Sequence, residues 1–413
     1  MIKPLVIGHS YLLERYSTGQ VLRSFFEGMC DEDFHPTIIC SKSYHNDVRE
    51  NSLRCRVIPC FDCQAIRYIV AAAKRIIAPD FAFLPDYTYF SWAKISAIKK
   101  TIQLVEEGDY DYIHSISMPC SSHLVALEAK KKTGIPWIAN FYDPWYDNPY
   151  RAINFSRFKE RDRRYEEQIA ENADLIVHTN HVICKEWIDR YGESIKKKIY
   201  VLPLVFREPD VKLKGEEKVL RQFDENFPFT ISHIGSLYSG RDSSDFIKAI
   251  KLFITKYPQF RDVVRINYVG TVPESDKVLV TDCNLDKNFN YAGFIGENEC
   301  IKYFLQSDVF LAIDGKNARD IFFPSKIMKY FYYGKPILGL TPKNSVLEQE
   351  LIHSKNYVYR NDDYEGIANF LYNALTRYDG IAINDKEYWK NYSNEKVILQ
   401  YRHLVCDTLL NKR

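Results

Sequence analysis

The sequence predicts an α/β protein of two successive parallel-sheet domains facing a cleft, and three observations carry that prediction. Apolar or β-branched runs of four to six residues recur along the chain, amphipathic helical patterns alternate with them, and a charged stretch at 207–228 interrupts the rhythm. Strands joined through helices lie parallel and are covered on both faces, so they read as continuous apolar runs. At 413 residues the chain has room for two such sheets, at roughly 100–200 residues per domain.

In the first half, strand-like runs fall at 4–8, 36–40, 56–59, 112–116, 137–141, 175–178 and 199–202. Helical periods occupy 20–29, 91–107, 122–132 and 158–171. These make a first domain over 1–206. The charged stretch, with Pro209 inside it, is the crossing into a second domain over 207–384, whose strand-like runs fall at 229–234, 264–269, 289–292, 309–313, 337–340 and 357–360. Residues 385–413 are helical in pattern and are expected to pack back on the first domain. In open parallel sheets, ligands bind beyond the carboxyl ends of the strands, so the strand-end loops are where chemistry is sought.

Composition excludes some classes. The 56 Lys and Arg nearly balance 54 Asp and Glu, for a net charge of +2, which gives no electrostatic case for a nucleic-acid partner. The lysine runs at 130–132 and 196–198 read as solvated helix ends, and a peripheral contact with the inner face of the cell membrane stays open. The opening MIKPLVIGHS reads as a first strand and not a signal peptide, and no run reaches 18 apolar residues, so a cytoplasmic protein is expected. Ten scattered cysteines suit reduced thiols. Cys60 and Cys63 have metal-ligand spacing, but no second pair follows, so no metal is expected.

The most informative stretch is DIFFPSKIMKYFYYGKPILGL at 320–340. It predicts a helix over 326–333, with Ser325 as a hydroxyl cap and Gly334 as the left-handed residue that ends it. Lys326 falls in the first turn, where a cation opposes the helix dipole at roughly 0.3–1 kcal/mol. A bound anion reverses that sign, so the element reads as a phosphate seat. A second loop, GSLYSGRDSSDF at 235–246, follows a strand and opens a helix. Gly235 permits the turn, and Arg241 with its neighbouring serines stands where phosphate is attracted. The residue order is neither that of a P-loop nor GxGxxG. Lys326 and Arg241, from two strand-end loops of one sheet, suit a diphosphate.

Other candidates sit at further strand ends. In WIANFYDPWYDNPY, at 137–150, Asp143 ends a strand and aromatic residues follow, the partners that a sugar's apolar face and hydroxyl rim require. His114 ends another strand, while His123 opens the next helix. Gly293 and Phe294 follow a strand where backbone groups can meet a nucleotide base. Asp314, Lys316, Asn317, Arg319 and Asp320 form a polar loop suited to substrate hydroxyls.

With DPW at 143–145, GSLYSGR at 235–241, AGF at 292–294 and FPSKIMKYFYYGKPIL at 323–338, the chain resembles a bacterial glycosyltransferase of the two-Rossmann (GT-B) architecture. The likeness is to the retaining family 4-like group of surface polysaccharide synthesis. It implies a nucleotide diphosphate sugar donor held mainly by the second domain, and a saccharide or lipid-linked saccharide acceptor held by the first. No metal cofactor is implied, and the polysaccharide is of capsule or O-antigen type. It places Arg241 and Lys326 at the donor diphosphate; from the residues themselves, Asp143 and His114 are further catalytic candidates, for acceptor or donor-sugar hydroxyls, and Gly235, Ser236, Gly293, Phe294, Asp320 and Ser325 are expected at the donor. The group commonly carries two glutamates eight positions apart in this region. Here Ile321 and Lys329 occupy those places, Asp320 lying one residue from the first, and Leu204 and Val205 stand where Asn-Gly is common. A catalytically inactive partner of the same build, or a nucleotide-sugar epimerase, is the alternative.

Overall fold

The computed structural model describes residues 1–13, 17–44, 53–66, 68–69, 88–149, 156–206, 228–237, 240–316, 319, 321–376, 385 and 387–411. The chain divides into two compact units. Unit 1 comprises Met1–Glu208 with Asn391–Arg413, and unit 2 is Pro209–Lys390.

Unit 1 is built on β1 (Pro4–Ile7), β2 (Thr37–Ser41), β3 (Arg56–Cys60), β4 (Tyr112–Ile116), β5 (Trp137–Phe141), β6 (Leu175–His178) and β7 (Ile199–Val201). They pair in parallel in the order β3-β2-β1-β4-β5-β6-β7. Every residue of β1, β2, β4, β5 and β6 is buried, which is why each reads as an unbroken apolar run. The helical period expected at 91–107 opens with wide turns over Tyr89–Ala97 and continues as the α-helix Ile98–Glu107.

The last helix, Asn394–His403, is capped by Ser393, whose side chain accepts from the Lys396 N–H. Its apolar face, with Val397, Ile398 and Tyr401, joins the core formed by Val6, Phe25 and Ile138. The Tyr401 hydroxyl lies 2.9 Å from that of Tyr112 on β4.

Unit 2 repeats the plan with β8 (Phe229–Ile234), β9 (Val264–Val269), β10 (Phe289–Gly293), β11 (Val309–Ile313), β12 (Ile337–Leu340) and β13 (Tyr357–Tyr359). The parallel order is β10-β9-β8-β11-β12-β13. Chain direction across the sheet reverses between β8 and β11, and at such a switch point the two following loops separate and leave a crevice. The core beneath is formed by Ile231, Ile266, Leu311 and Leu338 with Phe246, Ile250 and Phe253 of the helix Ser244–Lys256. No helix among the described residues is long and apolar enough to cross a membrane.

Candidate functional site

The crevice beyond β8 and β11 brings together Arg241, Asp314 and Lys326. The helix Lys326–Tyr333 begins there and ends at Gly334, which adopts φ 64°. Tyr330 ties this helix to the sheet: its ring stacks on Phe310 of β11 at 4.5 Å, and its hydroxyl accepts from the Ile234 N–H at 2.8 Å. One turn earlier, Lys326 therefore hangs over the end of β8. Its Nζ lies 2.8 Å from Nε2 of His233, whose Nδ1 lies 3.0 Å from the Leu311 carbonyl. A carbonyl only accepts, so Nδ1 carries the ring proton and Nε2 offers its lone pair to the lysine.

Arg241 enters from the loop after β8. Its Nη2 is 3.8 Å from Oδ1 of Asp314, which follows β11 and is almost fully buried. Asp314 is oriented by Thr341, whose hydroxyl donates to Oδ2 at 2.9 Å. Burial first, and the Arg241 charge second, bring the Lys326 ammonium down to about 7, against the pull of Asp314. Burial, and then the Lys326 charge, hold His233 well below the ordinary histidine range, so the ring is neutral. Two cationic side chains thus face one carboxylate, and an anion at this place would stabilise the enclosed lysine in its charged form.

The backbone makes the crevice accessible. Gly235 has φ 136°, and a Cβ built on it would stand 3.3 Å from Lys326 Cδ and 3.4 Å from its Nζ. The amides of Ser325 and Lys326 make no hydrogen bond among the described residues. Ser325 does not cap the helix as its residue type suggests. At φ −52° and ψ −27° it already has helical geometry, which turns its hydroxyl away from the following amides, and its side chain makes no capping bond.

The serines after Arg241 are a further correction. Ser243 gives both its N–H and its hydroxyl to Asp276 at 2.7 Å, while the Ser244 N–H donates to Asp242 at 3.0 Å. Asp242 and Asp245 are in turn paired with Lys316 at 3.1 and 2.8 Å. Carboxylates occupy this helix start, so it repels phosphate, and Arg241 is the member of the loop that serves the crevice.

Residues 18–204, within unit 1, match the model of Glycosyltransferase Family 4. Among curated proteins none matches by sequence. Solved structures share the two-unit fold. HepE of Anabaena, in complex with UDP-glucose, is 13% identical with a TM-score of 0.65 over 98% of this chain and 100% of that one. Sucrose-phosphate synthase of Thermosynechococcus elongatus is 14% identical at a TM-score of 0.69 over 100% of both chains. The lipopolysaccharide outer core galactosyltransferase WaaB is 11% identical at 0.61 over 99% of this chain and 100% of that one. The architecture is GT-B, with two Rossmann-like parallel-sheet units.

Within unit 1 the structure sorts the sequence candidates. His114 is wholly buried: Nδ1 lies 2.6 Å from the Tyr401 hydroxyl, the two rings stack at 5.2 Å, and burial brings its basicity down to about 3. It is a core histidine covered by the C-terminal helix, and the expectation that it meets substrate is corrected. His123 is likewise buried, with Nδ1 2.8 Å from Ser115 Oγ. Asp143 follows β5 and is half-buried, whereas Trp145 is stacked on Tyr165 at 5.8 Å in the interior. Tyr146 is committed too: its N–H donates to Glu166, and its ring lies under Arg190.

In unit 2, Ser236 Oγ accepts from the Thr271 N–H at 3.1 Å and is spent on the loop. Gly293, with φ 68°, and Phe294, 83% exposed, end β10 at the sheet margin. Asp320 lies outside the described residues. Ile321 is buried and Lys329 half-buried, one turn beyond Lys326. Sequence reasoning missed His233, whose partners are 78 and 93 residues away. It also missed His9, buried at the end of β1 with Nε2 3.0 Å from Asp62 Oδ2, an oxygen that also accepts from Ser41 at 2.8 Å.

Proposed function

We propose that this chain is a hexosyltransferase-like glycosyltransferase. It takes a sugar from a nucleotide diphosphate sugar and delivers it, with retention of configuration, to a saccharide or lipid-linked saccharide in surface polysaccharide synthesis. The observation that carries this reading is the pairing of Lys326 and Arg241 in one crevice of unit 2, with Asp314 and His233 beside them. Support comes from the match of residues 18–204 to the family 4 model, from the UDP-glucose in complex with HepE, and from WaaB being a lipopolysaccharide outer core galactosyltransferase.

The difficult step in such a transfer is departure of the nucleotide diphosphate while positive charge develops on the sugar. Cations fixed in advance stabilise the charge that gathers on the leaving phosphate without reorganising at the moment of reaction, and losing one such contact costs on the order of 100-fold in rate. We assign that task to Lys326 and Arg241 and not to a metal ion. The amides of Ser325 and Lys326 add two donors at a helix start. The acceptor is assigned to unit 1, with Asp143 as a hydroxyl partner, and peripheral contact with the cytoplasmic membrane face belongs to the same reading.

The departure at Ile321 and Lys329 favours a second reading, a diphosphate-binding relative that does not transfer, because neither residue accepts from sugar or ribose hydroxyls. One experiment separates them. Nucleoside diphosphates and their sugars are screened for thermal stabilisation, and those that bind are incubated with lipid-linked saccharide acceptors in the presence of EDTA. Binding with transfer supports the first reading, binding without transfer the second, and no binding sinks both.

A further inference from the structure

His233 has no part in the chemistry assigned so far, yet its surroundings are unusually determined. The ring is fully buried, edge-on to Tyr268 at 6.0 Å, with Nδ1 anchored on the Leu311 carbonyl of the adjacent strand. It can neither rotate nor change tautomer without breaking that bond, so its Nε2 lone pair has one fixed direction. Lys326 Nζ occupies that direction at 2.8 Å.

The charges facing Lys326 come from every element around it: Arg241 from the loop after β8, Asp314 from the end of β11, and the neutral His233 from β8 itself. Burial and Arg241 favour the amine, and Asp314, which also faces Arg241 at 3.8 Å, opposes them. An imidazole lone pair accepts an N–H from an ammonium and, more weakly, from a neutral amine, so the contact is available in both states.

We propose that His233 is the positioning residue of this crevice, holding Lys326 Nζ in place whichever protonation state it has, and that a bound diphosphate draws one solvent proton onto Lys326. The inference rests on the diphosphate reading given above. No covalent bond other than N–H changes: the proton leaves the buffer, the lysine gains it, and the added positive charge meets the incoming negative one.

The test is calorimetric titration of the full chain with the diphosphates of uridine, guanosine, adenosine and thymidine at pH 8, in buffers of different ionisation heat. At that pH the ligand phosphates are already ionised, so any proton taken up belongs to the protein. The expected result is uptake approaching one proton per diphosphate bound. His233→Leu is expected to weaken binding about tenfold and to displace its pH profile. His233→Gln, whose amide oxygen can stand near the Nε2 position, should bind within about twofold of the natural protein. Diphosphate binding without proton uptake, an unchanged pH profile in His233→Leu, or a tenfold loss in His233→Gln would each overturn the inference and leave the diphosphate reading intact. If His233→Leu does not fold, the proton count and His233→Gln still decide. Failure of every diphosphate to bind the natural protein would overturn both.

Discussion

A Cβ atom on Gly270 would stand 2.7 Å from the carbonyl carbon of Gly235. The two glycines close β9 and β8 with φ 127° and 136°, and the Gly235 N–H donates to the Val269 carbonyl at 2.7 Å. Backbone meets backbone there, with no flexible side chain able to yield. Gly270→Ala should therefore push the 235–237 turn away from Lys326 and lower nucleoside diphosphate affinity by tenfold or more. Gly134, also left-handed at φ 73° but with open space around it, serves as the comparison. Gly134→Ala should cost only about 1–2 kcal/mol of stability and leave binding unchanged, as urea unfolding and calorimetry would show.

Lys326 makes the donor-free protein less stable than it would otherwise be. Its folded-state value of about 7 lies below that of an unfolded lysine. The unfolded chain therefore holds more protons between pH 7 and 10, and stability from this group falls as pH drops from 10 to 7 and is flat below. Lys326→Met should remove that dependence and raise Tm at pH 7 by about 2–4 °C per kcal/mol recovered. The same variant should lose stabilisation by nucleoside diphosphates, a pairing of effects readable in one thermal melt series.

Acid should unfold unit 1 through its interior histidines. Burial brings His114 and His178 down to about 3, and His123 well below its usual range, with the neighbouring histidine charges adding to the effect on His123. All three are neutral when folded and protonate near pH 6.5 when unfolded, so their stabilisation is complete above pH 6.5 and declines as pH falls toward 3. Each can contribute a slope of up to about 1.4 kcal/mol per pH unit in that window. His178→Phe, which keeps the ring packed between Phe141 and Trp187, should flatten the dependence of urea midpoint on pH between 6 and 4. An unchanged slope would count against this account.

The C-terminal helix should be coupled to the sheet through one hydroxyl. Tyr401 Oη lies 2.6 Å from His114 Nδ1 and 2.9 Å from the Tyr112 hydroxyl, all three side chains being buried. Tyr401→Phe strands both partners without opening a cavity, for an expected loss of about 1–3 kcal/mol, measurable by denaturant unfolding.

Much of this fold was legible because its signals are local. Every strand of both sheets coincides with an apolar run visible in the sequence, and Gly334 marked the end of the helix Lys326–Tyr333 to the residue. Lys326 and Arg241 stood out by residue type at strand-end loops. What could not be read depends on distance along the chain. His114 has the look of a strand-end site residue until Tyr401, 287 positions later, covers it. Ser243 and Ser244 look like phosphate ligands until Asp276 and Asp242 claim them. His233 carries no local mark, since its meaning comes from Leu311 and Lys326.

The return of the chain's last helix to unit 1 also sets an order of synthesis. The Phe25 ring packs against Tyr401 at 5.1 Å, but at ribosomal rates the second is made roughly 20–75 s after the first. Unit 2, continuous from Pro209 to Lys390, has been made before the segment that completes unit 1. Through that interval the nascent unit 1 exposes the apolar face that Val397, Ile398, Tyr401, Val405 and Leu409 later cover. Of the two units, the one begun first is thus the one completed second.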